Sequence, residues 1–535
     1  MIGALVAVGE LESMQAVPTA AVCRRPYPLL GVLALSLTAL LALGACGDIM
    51  EPQLQTSAPP ERVFRAGFVD LQEIYIDELD LASITETSVT SLSSIEPGIT
   101  VTRDSGAIQV IVGTGSPTAY QQPPAGDAEA WGALTGEMVR HLQNQSAALG
   151  SSDSERIYET VFDAVVRGLD PYSRYSSREE AHENRASRDG FGGIGVRIDV
   201  LPEGIKVLSV MENTPAATAG LLDGDLILSI DGQPAAGIDQ REAVDRLRGR
   251  VGSAVRLGIQ RDAKLLDIMV TRAHIVPQTV KGSLKGNIAI VELSSFNHST
   301  SEVLQDKIET LAAAAPGGRL GGLVLDLRGN PGGLLDQSVE VADLFLGSGV
   351  IVTTHGRHPD SHQYFEANGD QIVPGVPMVI LVNGTAASAS EIVASALQDQ
   401  GRAVVVGSST YGKGTVQTVL RLPNDGELTL TWARFHAPSG YALNARGVLP
   451  DLCTSSSASL NAVLQSMQRG DSPLARALQQ TEVDEDDKPA VAAFRAHCPT
   501  VEDSPPVDLE VALALLNDQR LFAKAIGGRT SAALQ

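Results

Sequence analysis

Aromatic side chains are scarce in this chain, at 4 %, and so is positive charge: 40 Lys and Arg stand against 63 Asp and Glu, a net charge of −23. A nucleic-acid-binding surface needs clustered Lys and Arg to neutralise phosphates, and no such cluster occurs. The acidity instead favours a soluble, self-repelling surface. Cysteine is limited to positions 23, 46, 453 and 498, a spacing that fits no zinc pattern. The apolar run from Leu29 to Leu43 is shorter than a typical membrane span. No G-x-S-x-G elbow is present. The nearest approach to a nucleotide loop, "GSSTYGKGTVQ" at 407–417, has Gly414 where the magnesium-holding hydroxyl of G-x-x-x-x-G-K-[ST] belongs. What, then, does Lys413 do?

At 535 residues the chain should hold two to four domains. Arg24 and Arg25 precede the apolar run, which ends in small residues before Cys46, the shape of a signal peptide over 1–45. "LGAC" at 43–46 resembles the lipobox of bacterial lipoproteins. That resemblance implies lipidation at Cys46 and a place on the periplasmic side of the cell envelope, anchored to a membrane. A short transmembrane anchor is the other reading, and either exports the body. Residues 46–60 are polar and Pro-rich, a tether. Once exported, Cys453 and Cys498 can pair as a disulfide or remain two buried thiols.

Four further segments follow. Residues 61–189 form a mostly helical region, with apolar positions at helical spacing in "FVDLQEIYIDELDLASI", a hairpin over 99–113, a loop "GSPTAYQQPPAGD", and helices near 127–148 and 153–168. Residues 190–275 switch to short β-rich runs separated by Gly and Pro, with helical patches near 215–220 and 240–248. Residues 276–455 alternate strands such as "NIAIVEL", "GLVLDLRG" and "PMVILVN" with helices near 300–314, 334–346 and 390–399, which reads as an α/β layered domain. Residues 456–535 are an acidic, weakly helical tail, with "TEVDEDDKP" a solvated loop.

Chemistry concentrates in the third segment. In "PMVILVNGTAASASEIVASALQD" a buried strand turns through small residues into a helix, so a serine at the turn is exposed and feels the positive helix end. Free amides there can receive an oxyanion. Ser390 as a plain N-cap and Ser388 as a packing residue are the blander readings. A nucleophilic serine needs a base. His355, His358 and His362 lie in the polar stretch "THGRHPDSHQYFEANGD", read as a solvated loop, and His436 reads as structural. Lys413, in a Gly-flanked turn after the strand "AVVVG", is the better base if burial lowers its pKa. "GLVLDLRGNPGGLL" at 322–335 ends a strand in a turn that bares amides.

Together "DLRGNPGG", "ASASE" and "YGKGTVQ" resemble the carboxyl-terminal processing, or tail-specific, serine proteases. The usual motif S-A-S-A-S-E reads "AASASE" here, with Ala386 replacing the first serine. The resemblance implies Ser388 as nucleophile, Lys413, 25 residues on, as base, and Gln417 as the residue orienting it. The implied oxyanion donors are the amides of Ala389 and Gly333, with Gly332 as second choice. "GLDPYSRY" resembles the family's "LDPHS" segment, with Tyr172 in place of His. "GGIGV", "PAATAGLLDGDLILSIDG" and "AVDRLRG" resemble a PDZ domain, whose loop near Gly192, Gly193, Ile194 and Gly195 would hold a substrate's C-terminal carboxylate. The implied fold is α+β multidomain: an N-terminal helical region, a PDZ domain, and a core built as a spiral of ββα units like that of crotonase and the caseinolytic protease. The implied activity is cleavage of protein or peptide substrates with apolar C-termini, with no cofactor, no metal and no nucleic acid; a homo-oligomer is left open. The alternative is a non-enzymatic PDZ scaffold or apolar-ligand binder on the same core.

Overall fold

The computed structural model describes residues 58–527 apart from positions 105, 457–458, 473–482, 484–485 and 504. The leader over 1–45, Cys46, most of the tether, and positions 481–482 and 484–485 of the acidic "TEVDEDDKP" stretch lie outside the described residues, and the end of that stretch, read as a loop, opens the helix Lys488–Arg495. Among the described residues no helix is long and apolar enough to cross a membrane.

The core is built on a sheet in the order Val280–Lys285, Ile288–Leu293, Gly322–Asp326, Met378–Val382, Val404–Gly407, Leu452–Cys453. Its first pair is antiparallel and the others run parallel. Successive residues of a strand point to opposite faces, and parallel strands need both faces covered. Leu323, Leu325, Ile380 and Val382 therefore join the helices Thr300–Ala314, Leu335–Asp343 and Ala389–Asp399 on one face. Val324, Val379, Leu381, Val404 and Val406 pack on the other with Val463, Val511 and Leu515 of helices Leu460–Arg469 and Val507–Asn517. The expected tail thus supplies the sheet's second covering layer. A second sheet runs Gln363–Glu366, Val350–His355, Glu427–His436, Thr415–Arg421, and Arg174–Ser176 also pairs with Glu427–His436. The segment read as a solvated histidine loop is thus partly a hairpin, with His355 ending one strand and His362 preceding the next.

The N-terminal region has helices Pro60–Ile74, Leu81–Ser91, Ala128–Gln145 and Ser154–Arg167 around one apolar cluster, which continues onto Leu428 and Leu430 of the core. Thr118–Gln121, read as loop, is a third strand beside the hairpin. A helix absent from the sequence reading, Arg178–Asp189, starts with a capping box of Ser177 and Glu180 and leads into the next domain. That domain is a sheet in the order Lys264–Thr271, Ala254–Arg261, Leu226–Ile230, Gly204–Val210, Val196–Leu201, closed by helix Gln240–Leu247. Its entry and exit are joined where Phe191–Gly193 pairs with Ala273–Ile275.

Candidate active site

Ser388 sits between the buried strand Met378–Val382 and helix Ala389–Asp399, with φ of 57° and ψ of −115°, a backbone state that non-glycine residues rarely hold. Such strain persists only where surrounding contacts over-determine it, and here they do. The Asn330 carbonyl accepts the Ala387 amide (3.0 Å) and the Ser390 hydroxyl (3.0 Å). The Asn330 side chain donates to the Leu293 carbonyl (2.7 Å) and accepts the Gly332 amide (2.9 Å). Gly332 packs so closely on this turn that a Cβ there would stand 2.8 Å from Ser388 Cβ, at a φ of 103°. Ser390 is fully buried, whereas Ser388 is partly exposed.

The lysine loop is tied to the same turn. Glu391, wholly buried, accepts the Ser388 amide (2.8 Å) and the Lys413 amide (2.9 Å) on Oε2. On Oε1 it accepts the Gly412 amide (2.7 Å) and the Thr410 hydroxyl. The Tyr411 amide donates to the Ala386 carbonyl (3.0 Å). Burial pushes the Glu391 carboxyl up from its ordinary range, and these hydrogen bonds oppose the shift. This answers the question posed by "GSSTYGKGTVQ". The Gly412 and Lys413 amides, which would cradle a phosphate in a nucleotide loop, are committed to a carboxylate. Gly414 is required because a Cβ there would lie 1.9 Å from the Asn444 amide nitrogen.

Ser388, Ala389, Gly333, Lys413 and Gln417 line one cavity of about 320 Å³ with Arg174, Arg188, Thr429 and Phe435, and no histidine lines it. Lys413 is half-buried, with no ion pair among the described residues, and its Nζ lies 5.3 Å from the centre of the Tyr172 ring. Burial first, and then the Arg174 charge, hold its pKa below the ordinary lysine value, against weaker opposing pulls from Glu391 and Asp170. Gln417 Nε2 donates to the hydroxyls of Thr415 (2.8 Å) and Thr431 (3.3 Å). Gly333 is an exposed residue whose amide has no hydrogen-bond partner among the described residues, and the Ala389 amide has none either, while the Gly332 amide is taken. The geometry therefore favours Gly333 over Gly332 as a donor to an incoming oxyanion. A hydroxyl at a helix mouth, a partly desolvated amine and two spare amides are the parts of an acyl-transfer site.

The other candidates lie elsewhere. Gly193, Ile194 and Gly195 line a small apolar groove of about 100 Å³ with Phe191, Val196, Ile198, Val244, Leu247 and Arg248. Gly192 belongs to the paired stem beside it. The strand Val196–Leu201 ends its sheet, so one edge is open for an added strand. Cys453 and Cys498 are joined in a disulfide. His355 and His436 stack edge to face, with ring centres 5.1 Å apart. The sequence reading missed Asn330, Arg174 and the bridging role of Glu391; the last was signalled by the S-x-x-E spacing of a capping box from Ser388.

This fold and this cavity define a serine peptidase carrying a PDZ domain. Residues 287–454 match Peptidase family S41, and residues 192–271 match a PDZ domain. A carboxy-terminal-processing protease of Bartonella bacilliformis is 40 % identical over 320 residues, 59 % of this chain and 73 % of that protein. A probable CtpA-like serine protease of Staphylococcus aureus is 33 % identical over 304 residues, and the chain spans 60 % of its length. A solved photosystem II D1 C-terminal processing protease covers 73 % of this chain and 92 % of its own at 23 % identity, with a TM-score of 0.37. The chain belongs to the carboxy-terminal-processing proteases of peptidase family S41.

Proposed function

We propose that this protease cuts exported proteins selected by their C-terminal tails, using a Ser388–Lys413 dyad. The observation that carries the reading is the shared cavity: the strained serine, the partly desolvated lysine and two spare amides open into one space. A substrate with an apolar C-terminus adds as a strand beside Val196–Leu201, its last side chain in the groove and its carboxylate on the amides near Gly193 to Gly195. Neutral Lys413 takes the Ser388 proton as the hydroxyl oxygen attacks the scissile carbonyl. The Gly333 and Ala389 amides hold the tetrahedral oxyanion. Lys413 then gives its proton to the leaving amine, an acyl-enzyme remains, and water enters to release the acid and restore the serine. Gln417, fixed by Thr415 and Thr431, borders the lysine and limits where its amine can settle. Placement in the bacterial envelope, through a cleaved leader and a lipid on Cys46, is part of the proposal and rests on the "LGAC" resemblance.

The test is incubation of wild type, Ser388→Ala and Lys413→Ala with an unfolded reporter bearing an apolar C-terminal tag. Loss of a single serine or lysine of such a dyad should lower the rate by several orders of magnitude. Equal cleavage by all three would refute the dyad, and no cleavage by any, with varied tails, would favour a scaffold. Radiolabelled palmitate incorporation that survives Cys46→Ser would refute the anchor.

A further inference from the structure

The segment 495–502 lies beyond the residues that match the peptidase family, yet it bonds to the loop before Ser388 and to the loop before Lys413. On the lysine side, Arg495 Nη2 donates to the Thr410 carbonyl (2.7 Å), and Nη1 donates to the carbonyls of Ala445 (3.1 Å) and Arg446 (3.1 Å). The Ser409 hydroxyl donates to the Cys498 carbonyl (2.5 Å), and the Ser408 hydroxyl donates to the Val501 carbonyl (3.2 Å). On the serine side, the Gly384 amide donates to the Val501 carbonyl (2.8 Å), and Asn383 Nδ2 donates to the Glu502 carbonyl (2.6 Å). The Cys453–Cys498 disulfide ties this segment to the last strand of the core sheet.

We infer that segment 495–502 is a clamp that sets the serine turn against the lysine loop, with Arg495 its positioning residue and the disulfide its anchor. The inference rests on the Ser388–Lys413 reading. Thr410 is the point of leverage. Its carbonyl is held by Arg495 and its hydroxyl by Glu391, whose other bonds reach the Ser388 and Lys413 amides. The planar fork of Arg495 satisfies three carbonyls from two strands of loop at once, which a lysine ammonium on a flexible stem cannot reproduce. Removing it leaves those carbonyls short of a donor in a part-buried site. Burial lowers the Arg495 pKa and the Glu391 carboxylate opposes that shift, so the two charges sense each other across the loop. Neither Arg495 nor Cys498 lines the cavity, so both act through the groups they hold.

The experiment compares oxidised wild type with Arg495→Lys, with a Cys453→Ser/Cys498→Ser variant, and with a variant that combines the two. It reads kcat and KM on a tagged peptide, the rate of Ser388 labelling by a fluorophosphonate, and the affinity for an apolar-tailed peptide. Arg495→Lys should lower kcat and labelling by about tenfold to a hundredfold, the scale of an ångström misplacement at a reacting centre, with KM and peptide affinity within about twofold. In the combined variant the losses should fall short of the product of the separate losses, because both changes release one element. A folded Arg495→Lys with undiminished kcat and labelling overturns the clamp, as does a loss confined to peptide affinity. If Arg495→Lys does not fold, Ser409→Ala, which removes only the Cys498 contact, is read by the same criteria. If the wild type itself is not labelled at Ser388, the dyad reading fails, and the clamp with it.

Discussion

Glu391→Gln is the sharpest perturbation the site offers. The change keeps the side chain's shape and removes its charge. Each Glu391 oxygen accepts two donors, so the new NH₂ meets donors whichever way it turns. On the Oε2 side it would face two backbone N–H groups that cannot reverse. On the Oε1 side the Thr410 hydroxyl can turn and accept, leaving the Gly412 amide without a partner, so this is the cheaper arrangement. A buried hydrogen bond to a charged group contributes about 1.5–3 kcal/mol, and the remaining bonds weaken with the charge, giving a cost of about 2–4 kcal/mol. For a domain of this size that lowers Tm by on the order of 5–15 °C. The strain also moves the lysine loop relative to the serine turn, so kcat should fall about tenfold or more. Differential scanning fluorimetry and steady-state cleavage of a tagged peptide measure both. A Gln variant with wild-type Tm and kcat would refute the view that this carboxylate joins the two halves of the site.

Other outcomes follow from the same geometry. A lysine base acts in its neutral form, so kcat/KM should rise with pH through the Lys413 pKa, which burial and Arg174 hold below the ordinary lysine value. Arg174→Gln removes one of those two causes and should move that rising limb to higher pH, seen in a kcat/KM–pH profile; a shift to lower pH contradicts the assignment. Gly414→Ala should abolish cleavage while leaving PDZ peptide binding intact, because its Cβ collides with the Asn444 backbone; cleavage and titration of a fluorescent apolar-tailed peptide check the two halves. Asp70 has its pKa raised to about 6 by burial and by Glu73. The native state then holds this proton more tightly than the unfolded chain, so the contribution is full at low pH and is lost as pH rises toward 6. The upper bound is about 3 kcal/mol, reduced to about 1–2 kcal/mol because water reaches the group. Asp70→Asn should therefore raise stability at pH 8 and change it little at pH 4, as urea unfolding at the two pH values would report.

Much of this site could be read before any coordinates. "ASASE", "YGKGTVQ" and "DLRGNPGG" carry their chemistry in short runs, where a turn residue and its neighbours specify geometry locally. The central strands are nearly continuous apolar runs, and the helices between them have clear apolar periodicity. What escaped lacked such local signals. Helix Arg178–Asp189 buries only Ala181 and Ala186, so it has no apolar stripe, and its capping box is its one mark. Strand Lys264–Thr271 is exposed over most of its length and shows no alternation. The hairpin at 350–366 reads as polar because its outer strand lies at a sheet edge. Helix Val507–Asn517 is buried nearly all round, so it lacks the two-faced pattern expected of a surface helix. Arg495 meets Thr410 from 85 residues away, a distance that no local rule spans. Asn330 was in view within "GNPGG", but its carbonyl's two partners, Ala387 and Ser390, are known only once the strands are side by side.

The central claim is that a partly desolvated Lys413 activates Ser388. Mapping the covalent adduct of a fluorophosphonate by peptide mass spectrometry at pH 7.5, about neutral, tests it most directly. The account predicts one adduct, on Ser388, whose formation slows by orders of magnitude in Lys413→Ala. An adduct on another residue, or equally fast labelling of Ser388 without the lysine, would contradict it.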